Sequence, residues 1–276
     1  GGIVGSVSTT AGSSNWLTGI TMNGKISIQD TKNGHVSAGF LIGYLADTNV
    51  NGWKINDGGA SSFEISNVKI GCNANSTVAL KGFQVGGLIG MLKDGKVALK
   101  IGGEAVNSDG TKTPLPVCIG NAESKNGKIS ANSYSDAYNR TSISGLIGIV
   151  CNMPTIDIQN LYLSGIGVDR AIFNSLILAK STNANATITL KDAEIVSCSL
   201  TKDGDNKTGF LLGSSNGDKT IYNGFNILLK NCETDASGIF AGTIAETGSS
   251  MNLVAVSVVG DTGGTTDFCS GNGYVI

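Results

Sequence analysis

Glycoside hydrolysis needs two carboxylates facing one cleft. This chain offers Asp157, Asp192 and Glu194 in two segments of alternating polar and apolar residues. At alternating positions such side chains are expected to face solvent, and nothing in the spacing lifts one pair above an ordinary polar outer face. The one histidine, His35, follows Asn33-Gly34 in a turn-like stretch. A metal site or a Ser-His-Asp arrangement built on histidine has only this residue to use. Asp203-Gly204-Asp205-Asn206 starts like a calcium loop but lacks the later Glu ligand, so it reads as a turn. We therefore expect no enzyme, no metal and no cofactor.

The cysteines are Cys72, Cys118, Cys151, Cys198, Cys232 and Cys269. None stands in a C-x-x-C pair, which leaves zinc knuckles and thioredoxin-type redox motifs without support. Cys72, Cys198 and Cys232 each close a similar alternating segment, so they are expected at equivalent places, with Cys198 and Cys232 in neighbouring repeats. Stacked positions lie near the separation a disulfide accepts, but side chains in register point the same way. A disulfide and a reduced cysteine ladder both remain open. Four N-x-Ser/Thr sequons, at Asn75, Asn139, Asn185 and Asn206, permit glycosylation where the machinery exists.

The elements that would position these groups are set by a recurring block: GGIVG at 1–5, GFLIG at 39–43, GGLIG at 86–90, SGLIG at 144–148, NSLIL at 174–178, GFLLG at 209–213 and GIFAG at 238–242. A second block accompanies several of them: 63–72, 156–165, 188–198 and 225–232 alternate apolar and polar residues with the period of a half-buried strand. One such unit cannot bury its apolar face alone, whereas stacked units share a continuous core. The expected fold is an all-β, right-handed parallel β-solenoid (β-helix) of about seven to nine coils. Glycines beside each L-I-G suit corners where a side chain would clash or φ must be positive. The chain is expected to form one domain over 1–276 with insertions at 47–62 and 103–142. The block is already running at residue 1, so a segment of a longer protein is expected.

Composition narrows the function classes. Apolar residues make up 40% of the chain, enough for a continuous core, while charged residues are only 14%, which does not match a disordered chain. The net charge is −2, and Arg140 and Arg170 are the only arginines. Nucleic-acid binding thus lacks an electrostatic basis. No apolar run reaches the ~18 residues of a membrane helix. The few charges and many Asn, Ser and Thr suit an extracellular or cell-surface location.

Val85-Gly-Gly-Leu-Ile-Gly90, Ile143-Ser-Gly-Leu-Ile-Gly148 and Ala38-Gly-Phe-Leu-Ile-Gly43 resemble the GLUG repeat of large bacterial surface and secreted proteins. The resemblance covers five or six residues per unit, and NSLIL and GIFAG depart from it. It implies an adhesin-like or structural role. The expected function is a non-enzymatic stalk or adhesin segment that meets a glycan or protein of a host or neighbouring cell. A subunit stacking end to end with copies of itself is the alternative, and a polysaccharide-degrading β-helix enzyme comes third. Pectinase-like enzymes of that fold carry aspartate pairs and a G-H-G signature that this chain lacks. Binding candidates lie in the insertions: Trp53 and Asp57 in the first, and Tyr134, Tyr138 and Arg140 in the second, since aromatic residues and arginine dominate binding hot spots.

Overall fold

A computed structural model describes residues 2–8, 14–27, 37–46, 62–82, 84–93, 98–125, 127–131, 141–151, 155–169, 171–182, 186–201, 207–215, 220–235, 238–244, 248–260 and 267–269. The chain is all-β, with no helix among these residues and hence none long and apolar enough to cross a membrane. Four sheets are parallel throughout, and strands neighbouring in a sheet come from successive stretches of chain.

The first sheet collects the strands that follow each L-I-G corner, among them Ile42–Ala46, Ile89–Lys93, Ile147–Cys151, Leu178–Thr182 and Leu212–Ser215. The second holds the long alternating strands Ser14–Met22, Ser62–Ile70, Thr155–Ser164, Thr187–Val196, Ile221–Lys230 and Ser250–Val259. A third sheet, with Val78–Gly82, Gly127–Ala131 and Ile166–Asp169, and a fourth, with Gln84–Gly86, Ser142–Ser144 and Phe173–Ser175, complete each unit before the next L-I-G corner.

Strand pairing tests the repeat alignment directly. Val4, Ile42, Ile89, Ile147, Leu178, Leu212 and Ala241 share one row. Six of the seven blocks therefore sit where their sequence aligns them. NSLIL is displaced by one: the residues equivalent to 144–148 are Ser175-Leu-Ile-Leu-Ala179, because Ser144 pairs Ser175 and Ile147 pairs Leu178. The flanking glycines are demanded by close approach rather than by positive φ. A Cβ on Gly148 would lie 2.5 Å from the Gly90 carbonyl oxygen, and one on Gly90 2.6 Å from that of Gly43. Backbones of successive units touch there and leave no room for a side chain.

The long strands alternate only up to their middle. In Ile221–Lys230 the buried positions are Tyr222, Gly224, Ile227 and Leu229, so the inward phase slips by one residue between 224 and 227. The slip occurs at a row of left-handed residues, Gly19, Asn67, Asn160, Asp192, Asn226 and Ala255, with φ between 50° and 70°. A left-handed residue bends the strand and turns both halves toward one core. Glycine and asparagine enter this conformation most readily, which accounts for the Asn in ISNVKI, IQNLYL and FNILL. A second left-handed set, Gly71, Gly165, Ser197 and Asn231, turns the chain from the second sheet into the third.

The core is one continuous column of Ile, Leu and Val, including Ile65, Leu88, Leu99, Ile119, Ile147, Leu163 and Ile195, all 1% exposed or less. The expected excursion over 103–142 is corrected. Val117–Gly120 pairs with Ser62–Ile70 and Thr155–Ser164, and Gly127–Ala131 pairs with strands of the third sheet. Among the described residues, 121–125 form the turn between those two strands and 102–116 leave the four sheets. Ala98–Ile101 and Val117–Gly120 flank that stretch and share the same two partner strands, so the insertion interrupts one strand without displacing its neighbours. The Pro-Leu-Pro run marks the return of the excursion, and the apolar spacing of Val117 and Ile119 marks the strand after it.

Candidate functional site

Outward-facing residues of the second sheet form a row with one residue per unit: Trp16, Glu64, Lys100, Asp157, Thr189, Asn223 and Asn252. From Glu64 to Asn252 each is fixed by the alternation, because its two neighbours along the strand face inward, and Trp16 precedes the inward Leu17. Strand spacing puts successive members ~4.8 Å apart. At one end Asn252 Nδ2 donates to Asn223 Oδ1 at 2.9 Å. At the other, Trp16 is 69% exposed.

The insertion builds a wall beside this row. Glu104–Val106 and Lys112–Pro114 form an antiparallel hairpin, fastened by a Lys112–Glu104 ion pair at 2.9 Å. Its tip is closed by Asp109, which accepts from the Thr111 hydroxyl at 2.6 Å and the Thr111 amide at 2.9 Å. The hydroxyl and then the amide hold the Asp109 carboxyl below its ordinary range. At the base, Gly102 adopts φ 75°, and a Cβ there would meet the Gln159 carbonyl oxygen at 1.7 Å. Asn160 Nδ2 donates to the Gly103 carbonyl at 2.8 Å, tying the hairpin to the next strand.

Between wall and row lies an open groove of about 480 Å³. Its charged lining is Glu64, Glu104 and Asp157 against Lys100, Lys112 and Lys191. Three negative and three positive groups leave no net charge. Lys100 stands in register between Glu64 and Asp157, so donors and acceptors alternate along the groove. The two carboxylates are two strands apart, ~9.6 Å by strand spacing, on an open and solvent-washed face. This arrangement suits hydrogen bonding to a polar ligand, since a general acid is ordinarily made by burial. Among the described residues no group of three or more His, Cys, Asp or Glu is placed to hold a metal ion.

The expected site residues fare unevenly. Trp53, Asp57, Tyr134, Tyr138 and Arg140 lie outside the described residues, as do His35, Asn139, Asn185, Asn206 and residues 203–205. Asn75 sits exposed in the turn between Ser62–Ile70 and Val78–Gly82, where Ser76 of the same sequon donates to Asn23 Oδ1 at 2.9 Å. Of the three expected carboxylates, Asp157 joins the groove. Asp192 belongs to the left-handed row and accepts from Asn226 Nδ2 at 2.8 Å. Glu194 lies on the far half of its strand, beside Tyr162 and Leu228. Trp16, Glu64 and Lys100 went unnoticed in the sequence, although a tryptophan at an outward strand position was the available signal.

Cys198 and Cys232 stack in neighbouring units, as Val196 pairs Lys230 and Ser199 pairs Glu233. Both are buried free thiols. Burial, then the Cys232 contact, pushes Cys198 up. Cys72 does not join them. Ile70, Ile119, Leu163, Ile195 and Leu229 share a row; Cys72 follows it by two residues, Cys198 and Cys232 by three. The partner of Cys72 is Cys118.

Comparison with protein-family models, with curated proteins and with solved structures finds no match.

Proposed function

We propose that the chain is a right-handed parallel β-solenoid of an extracellular surface protein, and that it binds a neutral, extended glycan along the outer face of its second sheet without cleaving it. Four parallel sheets that take their neighbouring strands from successive units support the solenoid, and parallel crossovers are almost always right-handed. The observation that carries the function is the walled groove in which charges alternate and cancel. A polyanion or polycation would be repelled by half of its lining. A hydroxyl-rich polymer can donate to the carboxylates and accept from the ammonium groups throughout. Sugars spaced at about the strand interval would meet one row residue each, and Trp16 offers a ring for the apolar face of one of them.

Affinity electrophoresis of the purified chain through gels holding soluble β-glucan, xylan, mannan or heparin tests this. Retardation by a neutral polymer, lost in Trp16→Ala and Asp157→Ala, is the expected result. Retardation by heparin alone, retardation that survives both substitutions, or shortening of the bound polymer would overturn the reading.

A second reading, stacking of copies, is favoured by one observation. Ser14–Met22 and Ser250–Val259, the outermost strands of the second sheet among the described residues, leave the core residues Leu17, Ile20, Met22, Leu253 and Val256 only partly buried. Gly19 and Ala255 are left-handed at the same register, so two copies would meet with their bends aligned. Sedimentation that stays monomeric as concentration rises would exclude it.

A further inference from the structure

We infer that Cys72 and Cys118 are an oxidisable dithiol whose disulfide would fasten the turn after Ser62–Ile70 to the strand that re-enters the sheet behind the hairpin. The argument starts from direction. Cys198 and Cys232 occupy equivalent corners, so their side chains run parallel, a poor start for the near-perpendicular torsion of a disulfide. Cys118 instead pairs with Lys69, and Cys72 comes three residues after Lys69, beyond left-handed Gly71 with φ 64°. The chain has turned there, so the two side chains approach from different directions. Cys72 Sγ reaches the Cys118 carbonyl oxygen at 3.5 Å, which places the Cys72 thiol against the Cys118 residue itself. Asn121 Nδ2 donates to the Cys72 carbonyl at 2.9 Å, bracing the same turn. Both thiols are partly open to solvent, whereas Cys198 and Cys232 are buried.

The roles within the pair are unequal. The Cys118 side chain, then a backbone hydrogen bond at Ile70 and the Lys69 charge, outweigh burial and lower Cys72 to about 7, while the Cys72 contact raises Cys118. Cys72 is therefore the attacking thiolate. With a small disulfide of the glutathione class as oxidant, Cys72 Sγ attacks one sulfur, the S–S bond breaks, and one small thiolate leaves. Cys118, losing its proton to solvent, then attacks Cys72 Sγ and releases the second small thiolate. Two protein thiols are oxidised as one small disulfide is reduced to two thiols. Against a thiol at the ordinary value of 9, Cys72 carries roughly fifty-fold more thiolate at pH 7. Its lower nucleophilicity takes back somewhat less than tenfold, leaving an advantage of roughly sixfold.

The whole chain, reduced and then exposed to oxidised glutathione, is digested without reduction and analysed by mass spectrometry. The expected product is a Cys72–Cys118 cross-link that forms before any Cys198–Cys232 link, is absent in Cys72→Ser and in Cys118→Ser, and persists in Cys198→Ser. In Cys118→Ser, glutathione should remain attached to Cys72. A Cys198–Cys232 link formed first, a mixed disulfide that persists on Cys72 while Cys118 is intact, or no reaction at Cys72 would each overturn the inference.

Discussion

Replacing Asn160 tests whether the left-handed row or a side-chain contact governs the bend of the long strands. Asn160 is 8% exposed, adopts φ 54° and donates through Nδ2 to the Gly103 carbonyl at 2.8 Å. That carbonyl also accepts from the Leu115 amide at 2.8 Å, so losing the Asn160 bond does not orphan it. The bond then represents about 1 kcal/mol. Alanine in the left-handed region costs about 1 kcal/mol more than glycine, even after glycine's greater chain entropy is counted. Asn160→Gly should thus destabilise by about 1 kcal/mol and Asn160→Ala by about 2 kcal/mol. Urea unfolding followed by circular dichroism measures both. Because Asn160 tethers the hairpin, trypsin should cut after Lys112 faster in both variants. Equal loss in the two variants, or greater loss in Asn160→Gly, would refute the backbone argument. Unchanged cutting at Lys112 would refute the tether.

Ala255 holds the same register with φ 55°, so Ala255→Gly should stabilise by about 1 kcal/mol in the same urea assay. Gly148→Val would drive a side chain into the Gly90 backbone, and soluble yield should collapse, since two fixed backbones cannot part without breaking the sheet. Lys112→Ala removes an ion pair whose lysine is 63% exposed; the thermal midpoint should shift by less than about 1 kcal/mol implies, whereas hairpin proteolysis should quicken. Alkylation of Cys72 by iodoacetamide should rise through a midpoint near pH 7, because its acidity is set at about 7. Folding lowers this group, so its stabilising contribution is complete above the unfolded value of about 9 and is lost as pH falls through about 7. A midpoint near 9 would remove the Cys118 contact as its cause.

The parts of this fold legible in the sequence are those where backbone geometry leaves one choice. The glycines that close most of the blocks stand where a Cβ would meet the backbone of the next unit, so the block recurs and its register can be read from them. The register slips by one residue where Leu176 and Ala179 stand in the places of Gly145 and Gly148. The mid-strand bend was hidden because a left-handed residue shifts the inward phase by one, and a short strand with one slip still looks alternating. The recurrent Asn was its only trace. The cysteines misled for a related reason: similar neighbours suggested one stacked column, but Ser62–Ile70 turns one residue early, and that residue carries Cys72 to Cys118. The groove was least legible, because its row draws one residue from each of seven strands. No local window contains two members of it.

That distribution follows from how the architecture divides its constraints. Inward positions are fixed by the shared column, corner positions by backbone approach, and left-handed positions by φ. Only outward positions are free of all three. A departure from plain polar filling there carries information that similar residues elsewhere do not. Trp16 is such a departure, since an exposed tryptophan forfeits the burial that ordinarily justifies its size. The hairpin is another: the chain departs from the strand at two successive positive-φ glycines, Gly102 and Gly103, and both flanking segments keep the same partners. Fifteen residues, 102–116, thus leave the sheet at almost no cost to its hydrogen bonding. A stack of equivalent units gains a wall on one side of one row, and that break in equivalence is what turns a repeating surface into a located groove.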